Sequence, residues 1–257
     1  MRNREKLLTN SDLDLIFQNL GHKWESLRNQ HLFITGGTGF IGKWLVSALL
    51  YANHRRQLGL RLTLLSRYPD VFRLHYPWLA NDSAVELLRG DVCSFTLPKI
   101  PFHAIIHAGT DVADPDAALG TFDTCVSGTR RVLDLAAQSD CQKFLLLSSG
   151  AVYGRQPDDL LAIPETYSGS PDTALATSAY GIGKLAAEWL ARTYAEKYGF
   201  TATVARCFAF VGPYLPLDNT LQSVTSSVMR WLEKPLRYRA TEPPTEAPHY
   251  PQVVPVP

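Results

Sequence analysis

The chain has 257 residues, 46% hydrophobic and 19% charged, with a formal net charge of +1, enough apolar material for one large α/β domain or one domain with a small appendage. That near-neutral balance offers no basic field for nucleic acid, and the clusters His54-Arg55-Arg56 and Arg130-Arg131 read as solvated helix faces or ends. The longest apolar stretch near a helix, Trp44 to Ala52, falls well short of the about 20 residues that a membrane span takes.

Residues 1–30 carry Ser11-Asp12 as a candidate N-cap, then Leu13, Ile16, Phe17, Leu20, Trp24 and Leu27 at spacings of three and four. This pattern predicts an amphipathic helix, open to a break at Gly21, that packs across an edge or end of the domain. No signal peptide is expected, because Met1-Arg2-Asn3-Arg4-Glu5-Lys6 leads into a segment with charges throughout. Cys93, Cys125, Cys141 and Cys207 show neither Cys-x-x-Cys nor a Cys/His ligand spacing, so they read as reduced thiols of a cytoplasmic protein, with no metal site.

The rest of the chain is organised around His31 to Gly42. Leu32, Phe33 and Ile34 in succession suit a strand buried on both faces, and Trp44, Leu45, Ala48 and Leu49 recur at helical spacing. Between them, Gly36 permits a sharp turn, Gly39 lets the backbone approach a pyrophosphate, and Gly42 lets the helix pack closely on the strand. The helix N-terminal amides, at Phe40 and Ile41, then face the phosphates. A glycine triplet alone is a weak signal, but one that follows a strand and opens a helix reads as a dinucleotide cradle.

Leu60 to Leu65 predicts the second strand, ending at Ser66-Arg67 where the adenosine ribose of a dinucleotide would lie. A serine and an arginine there, rather than an acidic residue, tilt the cofactor from NAD toward NADP, whose 2′-phosphate they can bind. Residues 68–83, with Pro69 and Pro77, read as loop; Val85–Leu88 as the third strand, running into Asp91-Val92; and Ala104–His107 as the fourth, ending in Ala108-Gly109-Thr110. Asp91-Val92 would flank the adenine, with a plain turn as the competing reading of Asp91, and Ala108, Gly109 and Thr110 would flank the pyrophosphate and ribose. Ala117–Ala137 predicts a long helix weakened at Gly120 and Gly128, and Lys143–Leu147 a fifth strand that delivers Ser148 to Gly154 to the crevice. A loop over 155–177 leads to a helix from about Ser178 to Lys197, and Thr201–Arg206 is the sixth strand. Such alternation predicts an α/β fold with a doubly wound, Rossmann-like parallel sheet.

On the last helix Tyr180 and Lys184 stand four residues apart, hence on one face. An ammonium beside a phenol favours the phenolate and brings its pKa toward working pH, making a general acid/base; Ser149, from the preceding strand end, can hydrogen-bond the substrate oxygen. Tyr-x-x-x-Lys is a common accident of helices. Its place after the cradle and the serine-bearing strand is what favours catalysis over a surface pair.

Residues 31–213 resemble the extended short-chain dehydrogenase/reductase superfamily, in particular the NAD-dependent epimerase/dehydratase family acting on nucleotide sugars. The matching stretches are Gly36 to Gly42, Gly90-Asp91-Val92, His107 to Thr110, Ser148 to Gly154, Tyr180 to Lys184 and Arg206 to Pro213. The resemblance implies Tyr180 as acid/base, Lys184 also holding the nicotinamide ribose, Ser149 orienting the sugar hydroxyl, and a nucleoside-diphosphate sugar oxidised first at C4. It also implies a homodimer through helices 117–137 and 178–197.

Departures qualify that expectation. The Asp-Glu pair with which the family's dehydratases remove water is Gly150-Ala151 here, which favours epimerisation or simple oxidoreduction. Two family asparagines are replaced by Ala209 and Cys125. Past Pro213 the substrate lobe is expected to be largely missing: Thr220–Leu232 offers one helix, and Pro235–Pro257 is a proline-rich tail expected to stay extended or disordered. The division expected is a helical extension over 1–30, an NAD(P)-binding domain over 31–216, and a residual helix and tail over 217–257. A non-catalytic NAD(P)-binding protein, either a truncated relic or a redox-responsive interaction module, is the alternative from another class.

Overall fold

The computed structural model describes residues 8–110, 117–139, 141–208, 210, 212–215 and 254–255. Strands β1 (His31–Thr35), β2 (Arg61–Ser66), β3 (Val85–Arg89), β4 (Ala104–His107), β5 (Lys143–Ser149) and β6 (Thr201–Cys207) lie parallel, in the order β3-β2-β1-β4-β5-β6. All six expected strands are present, in a Rossmann-like sheet. Chain order reverses between β1 and β4, where Thr35 pairs with His107. A crevice outside the carboxyl ends of strands at such a reversal is where this kind of sheet binds ligands.

Alternation along the strands divides the core. Leu32, Ile34, Leu62 and Leu64 pack with Val46, Leu49 and Leu50 of α2 (Phe40–Arg56), while Phe33, Ile105, Phe144 and Leu146 pack with Val132 and Leu133 of α6 (Thr129–Gln138) and Ala187 and Leu190 of α7 (Ala179–Tyr198). β1 is buried along its whole length, as its unbroken apolar run requires.

The N-terminal helix α1 (Asn10–Leu20) is capped by Thr9, two residues before Ser11. The Asp12 N–H donates to Thr9 Oγ1 at 3.2 Å and the Thr9 N–H to the Asp12 carboxylate at 3.0 Å, a reciprocal box in which Asp12 is the far partner rather than the cap. Helix α1 ends at Gly21 and continues as a 3₁₀ turn, Gly21–Leu27, which buries Trp24 among Leu32, Ile34 and Val46. The first basic cluster is not simply solvated: Arg55 pairs with Asp14 at 3.0 Å, Arg56 with Glu25 at 3.1 Å and His54 with Asp82 at 2.7 Å. Exposed pairs of this kind contribute little singly and mainly set orientation.

Two further expectations are corrected, and the tail expected to be extended or disordered contributes one short extended piece. Residues 69–80 form short helices, α3 (Pro69–His75) and α4 (Pro77–Ala80), each with its proline in the first turn, where a missing N–H costs nothing. The long helix over 117–137 is α5 (Ala118–Asp123) and α6 joined by a π turn, Thr124–Gly128, which sets Cys125 so close to α7 that a β-carbon at Gly183 would lie 2.7 Å from Cys125 Cβ. In the proline-rich tail, β7 (Val254–Pro255) pairs antiparallel with Val204 and Thr203 at the sheet edge, a position that tolerates proline. The rest of that tail and the expected helix over 220–232 lie outside the described residues.

Candidate functional site

At the cradle the protein backbone packs on itself. Gly36 has φ +69°, and a β-carbon there would meet the Ala108 carbonyl at 2.5 Å and the Gly109 nitrogen at 2.6 Å. At Gly42 it would come within 2.0 Å of the Gly36 oxygen, so the close contact expected against the strand is made against the turn itself. Gly39 differs: its β-carbon would meet only the Gly36 oxygen, at 3.2 Å. Among the described residues, no side chain caps the amides at the start of α2, which begins Phe40-Ile41-Gly42. An open approach and uncapped amides at the N-terminus of a 17-residue helix fit the phosphates of a dinucleotide.

Behind the cradle a buried polar chain ties β1 to β4 and α6. The Gly109 N–H donates to Thr35 Oγ1 at 3.0 Å, Thr35 Oγ1 lies 2.6 Å from His107 Nδ1, and His107 Nε2 lies 3.0 Å from Thr129 Oγ1. With Thr35 donating to Nδ1, the proton sits on Nε2, and the imidazole is neutral. Burial, aided by the Lys184 charge, pushes the His107 pKa down to about 3.

At the end of β2, where the adenosine is expected from the sequence, Ser66 is buried and accepts from the Tyr68 N–H at 3.3 Å, while Arg67 is exposed, its guanidinium 5.9 Å from the Tyr68 ring. Ser66 pairs in register with Arg89, which is ion-paired with Asp70. Asp91 closes the turn after β3, its Oδ1 accepting from the Cys93 N–H at 2.8 Å, and a β-carbon at Gly128 would lie 2.9 Å from Val92 Cγ1.

Ser149, Tyr180, Lys184 and Thr110 come together at the other end of the crevice. Ser149 ends β5 and caps the 3₁₀ turn Gly150–Tyr153, its Oγ accepting from the Ala151 N–H at 3.1 Å. Lys184 is 3% exposed. Its Nζ donates to Thr110 Oγ1 and to the Leu147 carbonyl, each at 2.7 Å, and lies 5.8 Å from the Tyr180 ring centre. The expected lowering of the phenol is corrected here: burial raises the Tyr180 pKa, opposed by the hydrogen bond with Ser149. The ammonium is held on Thr110 and Leu147 rather than on the phenol, and burial lowers its own pKa.

Two features were not legible in spacing. A β-carbon at Gly150 would lie 2.5 Å from the Phe208 ring, which stacks on Tyr153 with centres 6.4 Å apart. Glu188, one further step of four along α7, accepts from the Ser148 hydroxyl and from the Arg206 guanidinium at 2.7–3.2 Å; the Tyr180-Lys184-Glu188 repeat was its available signal. Ala209 lies outside the described residues. Among the described residues, no cluster of three or more His, Cys, Asp or Glu could hold a metal ion, and no helix is long and apolar enough to cross a membrane.

Residues 32–241 match the family described as the NAD dependent epimerase/dehydratase family. The chain belongs to that family. It is 26% identical over 213 residues to a dTDP-glucose 4,6-dehydratase of Streptomyces niveus, covering 80% of this chain and 61% of that protein. It is 30% identical over 190 residues to a GDP-6-deoxy-D-mannose reductase of Pseudomonas aeruginosa, covering 72% and 53%. A solved UDP-glucuronic acid 4-epimerase of Bacillus cereus, with UDP-glucuronic acid and NAD, shares the fold at a TM-score of 0.62 and 19% identity, over 78% of this chain and 63% of that one. The chain thus spans little more than half the length of the family members it matches.

Proposed function

We propose that this chain carries the chemistry of an NAD(P)-dependent epimerase or C4 oxidoreductase of nucleoside-diphosphate sugars, at Ser149, Tyr180 and Lys184. The observation that supports it most is the placement of a buried Lys184 ammonium, anchored on Thr110 and Leu147, behind a phenol that Ser149 engages. Gly36, Gly39, Phe40, Ile41 and Gly42 would hold the phosphates, Asp91 and Val92 the adenine, and Ala108, Gly109 and Thr110 the pyrophosphate and ribose. Tyr180 and Lys184 would complete the nicotinamide end, and Ser66 with Arg67 would take a 2′-phosphate, which favours NADP. When bound, the nicotinamide supplies a hydride acceptor or donor for the sugar carbon.

The chain's own residues handle the proton. Tyr180 Oη exchanges it with the sugar C4 oxygen, and Ser149 Oγ hydrogen-bonds that oxygen and fixes its direction. Burial raises the pKa of the phenol and the Ser149 hydrogen bond opposes it, so in the free site the phenol is biased toward delivering a proton to a sugar ketone. Phe208 fills the space beside Gly150 where a dehydratase-type carboxylate would stand, so water elimination by that route is disfavoured. The same reading pairs two copies through α5, α6 and α7, where Leu119, Leu185 and Trp189 are exposed.

A thermal-shift screen with NAD, NADP and a panel of UDP-, GDP- and dTDP-sugars tests the proposal. Stabilisation by a cofactor and further by a nucleotide sugar is the expected result. Stabilisation by cofactor but by no sugar would favour the non-catalytic NAD(P)-binding alternative.

A further inference from the structure

We propose that Glu188 is a positioning residue for the proton-handling pair: through Ser148 and Arg206 it fixes the end of β5 against α7, and thereby the contact of Ser149 with Tyr180. The inference rests on the reading of Ser149, Tyr180 and Lys184 above. One carboxylate joins three elements. Ser148 Oγ donates to Glu188 Oε1 from β5; Arg206 of β6 donates from Nε at 3.1 and 3.2 Å and from Nη2 at 2.7 Å; and Glu188 itself stands on α7, one turn past Lys184. Ser148 and Arg206 are also register partners in the sheet, so the carboxylate closes a ring over paired strands.

The ring's position gives it leverage. Ser148 is 3% exposed and immediately precedes Ser149, while the Leu147 carbonyl just before it receives the Lys184 ammonium. A strand end free to shift along α7 would therefore move Ser149 off the phenol and Lys184 off Leu147 together. On its far side the Arg206 guanidinium lies 4.6 Å from the centre of the Tyr153 ring, at the end of the turn that begins at Ser149. The turn is thus held at both ends by one charge pair. Bidentate arginine–carboxylate geometry is the kind of contact that sets orientation as well as energy.

The direction in which the Tyr180 phenol titrates separates positioning from the alternatives. Among the described residues, the groups facing it are Ser149 from β5, Lys184 on its own helix, Cys125 from the π turn and Cys207 from β6. Removing the negative charge of Glu188 would by itself ease ionisation of the phenol, and loosening of the site would do the same by admitting water. Loss of the Ser149 hydrogen bond makes ionisation harder, as does retreat or neutralisation of the Lys184 ammonium, whose charge Glu188 supports; Ser148→Ala keeps the Glu188 charge and so isolates the positioning effect.

The experiment uses the full chain with 3,5-difluorotyrosine in place of tyrosine, followed by ¹⁹F NMR against pH, with Tyr180→Phe assigning the Tyr180 resonance. Glu188→Gln is expected to raise the Tyr180 midpoint by about half a pH unit or more. Ser148→Ala, which leaves the Glu188–Arg206 pair intact, should raise it by less, and Ser148→Thr, which restores the hydroxyl, should return it to the parent value. A midpoint unchanged or lowered in Glu188→Gln overturns the proposal. If that variant does not fold, an unchanged or lowered midpoint in Ser148→Ala overturns it equally. Turnover by Tyr180→Phe decides the underlying functional reading separately, because the titration needs no substrate.

Discussion

The two ends of the crevice are built by different physics. The cradle beside β1 and β4 is backbone against backbone, with Gly36, Gly42 and the Ala108-Gly109 peptide in contacts that admit no side-chain carbon. Beyond β5 the site is held by side chains, a buried ammonium on Thr110 and Leu147 and a carboxylate shared by Ser148 and Arg206. A backbone device of this kind tolerates no side chain at Gly36 or Gly42 and is indifferent to most of its neighbours. The polar device spreads its demands over many residues, each replaceable at partial loss.

The sharpest way to break this contrast is at the glycines. Gly42→Ala must displace the turn, since its β-carbon would lie 2.0 Å from the Gly36 oxygen, and is expected to cost about 3 kcal/mol or more of stability as an overpacked site. Gly39→Ala should leave the melting temperature close to the parent value while abolishing tight cofactor binding, because its β-carbon enters the space left for phosphate. Chemical denaturation with calorimetry would show the pair; equal destabilisation by both would contradict the assignment of Gly39 to the ligand side.

A smaller effect tests the polar chain behind the cradle. His107 stays neutral in the fold to about pH 3, whereas an unfolded imidazole takes up a proton below its ordinary pKa of about 6.5. The unfolded state therefore binds more protons in that window, and stability falls as pH drops from about 6.5 toward 3. Between pH 7 and pH 5 this one group should remove about 2 kcal/mol of unfolding free energy. His107→Gln should flatten that slope by the same amount whatever its own effect on stability. A slope identical to the parent would show that His107 is protonated in the fold.

Smallest is the adenosine end. Arg67→Ala should weaken NADP by about 1.5 kcal/mol, the low end for a hydrogen bond to a charged group, and NAD by much less. Equal losses for the two cofactors in calorimetry would remove the NADP preference.

How much of this was legible in the sequence follows the same division. The six strands and the cradle could be read because unbroken apolar runs and spaced glycines are local signals, as at Leu32-Phe33-Ile34 and Gly36 to Gly42. Prolines misled over 69–80, where Pro69 and Pro77 open short helices instead of marking loop. Tyr180 and Lys184 were placed on one face by their spacing, but the ionisation of the phenol could not be read from it, because that depends first on how deeply the fold buries the ring and then on its hydrogen bond with Ser149. The Phe208 ring over Gly150 is likewise a contact between distant segments, and of the Ser148-Glu188-Arg206 ring only the Tyr180-Lys184-Glu188 repeat on α7 was readable within one segment.

The measurement that bears most directly on the central claim compares the parent chain with Tyr180→Phe, at equal cofactor occupancy, for nicotinamide absorbance change and product formation with UDP-, GDP- and dTDP-sugars. The parent should interconvert at least one of them, and Tyr180→Phe should bind NADP as tightly while losing about a thousandfold in turnover, the scale of a positioned general acid/base. Turnover retained in Tyr180→Phe, or a cofactor-bound parent that acts on no sugar in the panel, would contradict the account.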